Sequence, residues 1–137
     1  MAPFLQASAS VMNLSALFAA MITVESAGND AAIGDQKRAR GALQIHACVV
    51  HDVNRIAGTR FTHRDAHRRD VALWMATTYL GHYGNPQRLG HAPTAEDYAR
   101  IWVGGPTGPK RASTLRYWKR VERQLRKQSG GQQIALR

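Results

Sequence analysis

The sequence predicts a mostly helical domain with at most a small hairpin or loop after the first helix. Apolar residues recur at helical spacing along most of the chain, and a polar, glycine-bearing stretch at 31–44 interrupts this pattern. The length of 137 residues, 44% of them hydrophobic, is enough for one core without disulfides or metals. We therefore expect residues 1–128 to form a single domain and residues 129–137 a flexible C-terminal tail.

Residues that start and stop helices divide the chain into elements. Asn13 is a candidate N-cap for a first helix that ends near Ser26. The stretch 71–76 is apolar on every side, which predicts a buried third helix with Trp74 in the core. The later helices are expected over residues 45–56, closed by Gly58, then 65–83, then 94–102, capped by Thr94, and finally 112–127.

Glu25 lies at the end of the apolar stripe of the first helix. Leu14, Phe18 and Met21 precede it by eleven, seven and four residues, so all three share its face. Burial disfavours a charged carboxyl group, so we expect a raised pKa for Glu25. A carboxyl group that keeps its proton near neutral pH is what general-acid cleavage of a glycosidic bond requires.

The charge balance favours polyanionic partners. The chain has 19 Lys and Arg against 9 Asp and Glu, a formal net charge of +10, which suits nucleic acid, anionic lipid or an acidic cell wall.

His46, Cys48, His51 and Asp52 lie close together, but their spacing matches no zinc pattern and Cys48 is the single cysteine. We interpret these histidines as exposed residues of the second helix and expect neither a metal nor a cofactor.

Three motifs and a late tyrosine occur in a fixed order. Glu25-Ser26 is followed sixteen residues later by Gly-Ala-Leu-Gln-Ile at 41–45, then by Tyr98 and the segment 102–106, and finally by Tyr117. This order and spacing resembles the soluble lytic transglycosylase domain of the lysozyme-like superfamily, of the compact phage or secretion-system type. The likeness covers roughly residues 13–125 and implies an α+β lysozyme-like fold.

The resemblance implies an enzyme that cuts the β-1,4 bond between N-acetylmuramic acid and N-acetylglucosamine in peptidoglycan. It makes Glu25 the catalytic acid and base, with Ser26 beside it to steady the carboxyl group. The residues expected to contact the sugar are Gln44, Tyr98, Trp102, which stands where the family has tyrosine, and Tyr117. Val103 replaces the family's asparagine, and Ser113 stands where a glutamate is common.

Two chemistries remain open from the sequence. The resemblance favours a lytic transglycosylase, which uses one glutamate and gives anhydro-muramic products, and a hydrolytic lysozyme is the alternative. A hydrolytic lysozyme needs a second carboxylate, and Asp35, ten residues after Glu25, is the candidate. Inverting hydrolysis would require about 6.5–9.5 Å between the two carboxyl groups. Asp35 also suits an ordinary turn, since Gly-Asp pairs are common there.

The expected partners are peptidoglycan glycan strands, with a phage or secretion-system assembly as a further candidate, and the chain is expected to be a monomer. A basic nucleic-acid-binding helical module is the rival hypothesis, but it leaves Glu25 on an apolar face unexplained. No basic residue precedes the apolar N-terminal stretch, so we expect no signal peptide. Action on the periplasmic cell wall would then depend on a phage particle, a holin or other machinery.

Overall fold

A computed structural model describes residues 2–136 of the chain, with side chains for residues 14–130. Three short strands follow the first helix, and three 3₁₀ helices cover His63–His67, Gly108–Lys110 and Ala112–Thr114. Within the described residues the α-helices are α1 (Ala2–Ser26), α2 (Ala47–Ala57), α3 (Arg69–Tyr83), α4 (Pro86–Leu89), α5 (Ala95–Gly104) and α6 (Leu115–Leu136).

The predicted fold class is confirmed. The chain is 68% helical and has a small antiparallel sheet, consistent with a mostly helical lysozyme-like fold. The strands are β1 (Ile33–Gly34), β2 (Ala39–Arg40) and β3 (Ile45–His46), with β2 between the other two. Gly34 pairs with Ala39, and Ala39 pairs with His46, so these three residues form one row across the sheet.

Several element boundaries differ from the sequence expectation. Helix α1 begins at Ala2, so Asn13 lies within it and the predicted helix start is wrong. Ile45 and His46 form a strand rather than the start of the second helix. Helix α6 continues beyond Lys127 to Leu136, but the side chains of residues 131–137 lie outside the described residues, so the flexible tail stays a prediction. None of the described helices has both the length and the apolar character needed to cross a bilayer.

The backbone divides into two compact units, one of which is Ile22–Pro93. It contains the sheet and helices α2, α3 and α4. Helix α2 ends at Gly58, which adopts the predicted left-handed conformation with φ 69°. The fully buried side chains of this unit include Leu43, Ile45, Val53, Met75 and Leu80.

Trp74 corrects the expectation of a helix buried on every side. Its side chain is 43% exposed, and its ring meets Phe61 edge to face at a centroid distance of 5.5 Å. Helix α3 buries Val71, Met75 and Tyr79 instead, which recur at helical spacing on another face. An apolar run therefore does not reveal which of its residues face inward.

The second unit consists of Met1–Met21 and Thr94–Arg137. Thr94 is confirmed as the N-cap of α5: its hydroxyl accepts a hydrogen bond from the Asp97 amide, and the Asp97 carboxylate accepts one from the Thr94 amide. Gly108 lies so close to the Arg100 carbonyl oxygen that an added Cβ would be 1.9 Å from it. This close approach fixes the turn between α5 and α6.

A polar network joins α2 to the end of α3. The Tyr83 hydroxyl donates a short hydrogen bond to the Asp52 carboxylate, and Arg55 pairs with the same group at 2.5 Å. Partial burial acts to raise the pKa of Asp52, but the contacts with Tyr83 and Arg55 outweigh it. The pKa of Asp52 consequently lies below its ordinary value of 3.8.

The depressed pKa of Asp52 makes the stability of the fold depend on pH. Because the folded state favours the ionised carboxylate, its contribution is present at neutral pH and is lost as the pH falls below 3.8. We expect Asp52→Asn to lower the free energy of unfolding at neutral pH and to differ little from wild type in acid. Urea unfolding across this range measures the difference. Tyr83→Phe should also make the free energy of unfolding depend less on pH, because it removes one hydrogen bond to the Asp52 carboxylate. If the free energy of unfolding changed with pH equally in the wild type and both variants, the assignment to Asp52 would be contradicted.

Candidate active site

Glu25 lies in the last turn of α1 and is half-buried. The apolar stripe predicted for its face is present, since Phe18 and Met21 are buried and Leu14 is half-buried. The helix ends immediately afterwards, where Ala27 adopts a left-handed conformation with φ 53°. The carboxyl group is therefore carried on a rigid helical turn beside the end of the helix.

Ser26 connects the first motif to the second. Its hydroxyl donates to the Ala42 carbonyl oxygen at 2.8 Å, with the Ile22 carbonyl oxygen at 3.2 Å. The same hydroxyl accepts a hydrogen bond from the Asn29 amide. The side chain thus holds the end of α1 against the segment 41–45 through hydrogen bonds with backbone groups. The expectation that Ser26 steadies the Glu25 carboxyl stays a prediction.

Gln44 is built into the turn between β2 and β3. Its backbone is left-handed, with φ 50°, and its side-chain amide donates to the Gly41 carbonyl oxygen at 3.0 Å and to the Ala32 carbonyl oxygen at 3.4 Å. The amide oxygen lies where a Cβ on Gly34 would be, at 2.3 Å. The Gln44 side chain therefore spans the inside of the hairpin, and a role in sugar contact stays a prediction.

Gly41 allows a close backbone approach next to this turn. Its φ is +81°, and an added Cβ would lie 2.1 Å from the carbonyl oxygen of Ala66, in the 3₁₀ helix His63–His67. A residue with a side chain would have to adopt a strained conformation and displace this backbone. The backbone conformation and the close contact thus explain why glycine occupies the first position of the second motif.

The loop that follows Ser26 is fixed by two residues near the start of α3. Arg69 donates from Nε to the Asp30 carboxylate at 2.6 Å and from Nη2 to the Gly28 carbonyl oxygen at 2.8 Å. His67 Nδ1 donates to the Asp30 carbonyl oxygen at 2.9 Å. The sequence analysis missed both residues, because nothing local marks a contact across 37 and 39 positions.

Asp35 lies in the turn between β1 and β2. Asp35, Gln36 and Lys37 all have left-handed backbones, with φ of 49°, 56° and 72°. The Asp35 carboxylate pairs with His46 Nε2 at 3.2 Å, and the two side chains are 54% and 42% exposed. The placement of His46 on the second helix is wrong: it belongs to β3, where its partly exposed side chain contacts the candidate second carboxylate.

The remaining predicted site residues belong to the other unit. Tyr98 and Trp102 lie on α5 and Tyr117 on α6. Trp102 and Tyr117 are buried, whereas Tyr98 is half-buried, and burial together with the negative charge of Asp97 raises the pKa of Tyr98. Their assignment to sugar contact remains a prediction.

The structure thus brings together part of the predicted set. Glu25-Ser26 and Gln44 are joined through the Ser26 bond to the second motif, and Asp35 lies in the same sheet-bearing unit. In the part of the chain that the structure describes, no group of three His, Cys, Asp or Glu could hold a metal ion. The carboxyl groups of Glu25 and Asp35 can each give or take a proton, as acid and base chemistry requires.

Comparison with known proteins gives a partial likeness. No protein-family model matches the chain. Over 46 residues the chain is 46% identical to a lysozyme from Magallana gigas, a stretch that makes up 34% of this chain and 29% of that protein. The chain therefore spans less than a third of the length of the curated relative it matches. This likeness supports a lysozyme-like family and does not separate lytic transglycosylases from lysozymes.

Replacing Gly41 by alanine should destabilise the fold strongly, because the new Cβ meets the Ala66 carbonyl oxygen and φ is positive. We expect a loss of about 3 kcal/mol or more in the free energy of unfolding, measured with urea. Gly28→Ala is the matched control: Gly28 has φ +84° with open space around its Cβ position, so the cost should be about 1 kcal/mol. Equal losses in the two variants would show that the backbone approach at Gly41 is unimportant.

Proposed function

We propose that this chain cleaves the β-1,4 bond between N-acetylmuramic acid and N-acetylglucosamine in peptidoglycan, with Glu25 as the catalytic acid. The observation that carries the proposal is the 2.8 Å hydrogen bond from Ser26 to Ala42, which holds the Glu25 turn against the segment 41–45. The identity with a protein named lysozyme supports the same activity. The substrate and bond follow from the resemblance to the lysozyme-like superfamily.

Glu25 would protonate the glycosidic oxygen as the bond to C1 breaks. A half-buried carboxyl group at the end of an apolar stripe suits this role, because burial disfavours the charged form of a carboxyl group. Its place on a helical turn fixes the direction of the proton, and such positioning lowers the entropic cost of reaching the transition state.

Hydrolysis is the chemistry that we favour for this chain, with Asp35 as the second carboxylate. Asp35 would accept a proton from water while the water oxygen bonds to C1 and the leaving oxygen takes the proton of Glu25. Exchange with solvent would then restore both groups. The contact between Asp35 and His46 at 3.2 Å supports this version.

Lytic transglycosylation is the second candidate. In this reaction Glu25 acts alone: it protonates the leaving oxygen and then, as a base, takes the proton of the muramic C6 hydroxyl, which closes the anhydro ring. The motif order from Glu25 to Tyr117 favours this candidate, because that order is the pattern of the soluble lytic transglycosylases.

The proposal also covers the residues that contact the substrate and the route to the cell wall. Gln44, Tyr98, Trp102 and Tyr117 are the residues that we expect to contact the glycan, and the +10 charge would favour an anionic wall. Delivery to the wall by a phage or secretion-system assembly is proposed on the resemblance alone.

Glu25→Gln tests the acid directly. The amide has the same shape but carries no acidic proton, so the rate on purified cell walls should fall by about 10²–10⁴-fold with the fold retained. Circular dichroism and thermal unfolding check the fold. Glu122→Gln is the control, because this α6 carboxylate pairs with Arg126 at 3.7 Å and has no proposed role in the reaction. Full activity of Glu25→Gln would place the acid elsewhere.

Asp35→Asn, combined with mass spectrometry of the products, separates the two chemistries. If Asp35 activates water, the variant should lose about 10²-fold in rate and the wild-type fragments should carry reducing ends. A normal rate with anhydro-muramic ends would establish the transglycosylase instead. Intact walls after treatment with wild-type protein would overturn the proposed function in both forms.

A further inference from the structure

The Asp35 carboxylate has to be held in one orientation if it is to activate water. Its side chain is 54% exposed, and an exposed carboxylate on a turn is free to rotate unless a neighbour fixes it. A base that is misplaced by about 1 Å can cost about a hundredfold in rate. The residue that orients Asp35 would therefore be as necessary as Asp35 itself.

His46 meets this requirement through the register of the sheet. Gly34, Ala39 and His46 form one row across β1, β2 and β3, and Asp35 directly follows Gly34. His46 Nε2 lies 3.2 Å from Asp35 Oδ2 and forms an ion pair with this carboxylate.

The backbone around Asp35 supports a functional interpretation. Left-handed backbone conformations, which glycine adopts easily and other residues do not, occur at three consecutive residues: Asp35, Gln36 and Lys37. Each such conformation costs roughly 1–2 kcal/mol, and such strain concentrates at functional sites. The strained backbone of this turn therefore sets the direction of the Asp35 side chain, which supports a functional role for Asp35.

We propose that His46 is a positioning residue for Asp35. The ring nitrogen Nε2, which lies 3.2 Å from Asp35 Oδ2, would hold this oxygen in place and leave Oδ1 to accept the proton of the attacking water. This inference rests on the proposed function in its hydrolytic form. A purely structural pair would act differently: it would contribute to hairpin stability alone, and exposed ion pairs contribute little.

The test uses a soluble oligomer of alternating N-acetylmuramic acid and N-acetylglucosamine, so that kcat and KM are measured separately. His46→Ala should lower kcat about ten- to a hundredfold with KM and melting temperature nearly unchanged, because the carboxylate loses its orientation. His46→Gln should keep kcat within about threefold of wild type, since the glutamine amide nitrogen can occupy the place of Nε2. His51→Ala, an exposed histidine on α2, is the matched control and should behave as wild type.

The same substitutions in an Asp35→Asn background decide whether His46 acts through Asp35. There His46→Ala should cause no further loss, because the group it orients is already disabled. Three results would overturn the proposal: an unchanged kcat in His46→Ala, a full additional loss in the Asp35→Asn background, or a normal rate of Asp35→Asn itself. In each of these cases cleavage that depends on Glu25 would still stand. Absence of any cleavage by the wild-type chain would instead overturn the proposed function.

Discussion

The hydrogen bond from the Ser26 hydroxyl to the Ala42 carbonyl oxygen is the contact on which the candidate active site depends. It joins the end of a helix to a turn sixteen positions later, and it fixes the helical turn that carries Glu25 relative to the hairpin. Gly41, next to Ala42, lets the backbone approach Ala66 closely on its other side. Two motifs that are separate in the chain thereby become one local structure.

Residues with strained, positive φ values lie close in sequence to this contact. All five described residues other than glycine with positive φ belong to the stretch from 27 to 44 that links the two motifs. Hydrogen bonds across the stretch hold these conformations: Gln44 binds two carbonyl oxygens inside the hairpin, and Arg69 binds the loop at Asp30. Strain of this kind persists only where surrounding contacts outweigh it, and a site that must orient carboxyl groups gains from such rigidity.

Local signals predicted much of the fold. Gly58 and Thr94 were identified as helix ends from single residues, and both have the expected cap conformations, because capping is decided within one turn. Signals that depend on distant neighbours failed. His46 reads as a helical residue beside Cys48 and His51, yet pairing with Ala39 places it in a strand. Trp74 reads as core, yet its helix buries a different face.

The sequence by itself determined the helical class, the position of Glu25 at the end of an apolar stripe and the order of the motifs, since these follow from spacing along one chain. Only the tertiary structure decided that Ser26 bonds to Ala42, that His46 contacts Asp35 and that Arg69 holds the loop at Asp30. Each of these contacts joins residues 11 to 39 positions apart. Such pairs meet because of strand register and helix packing, which no local pattern encodes.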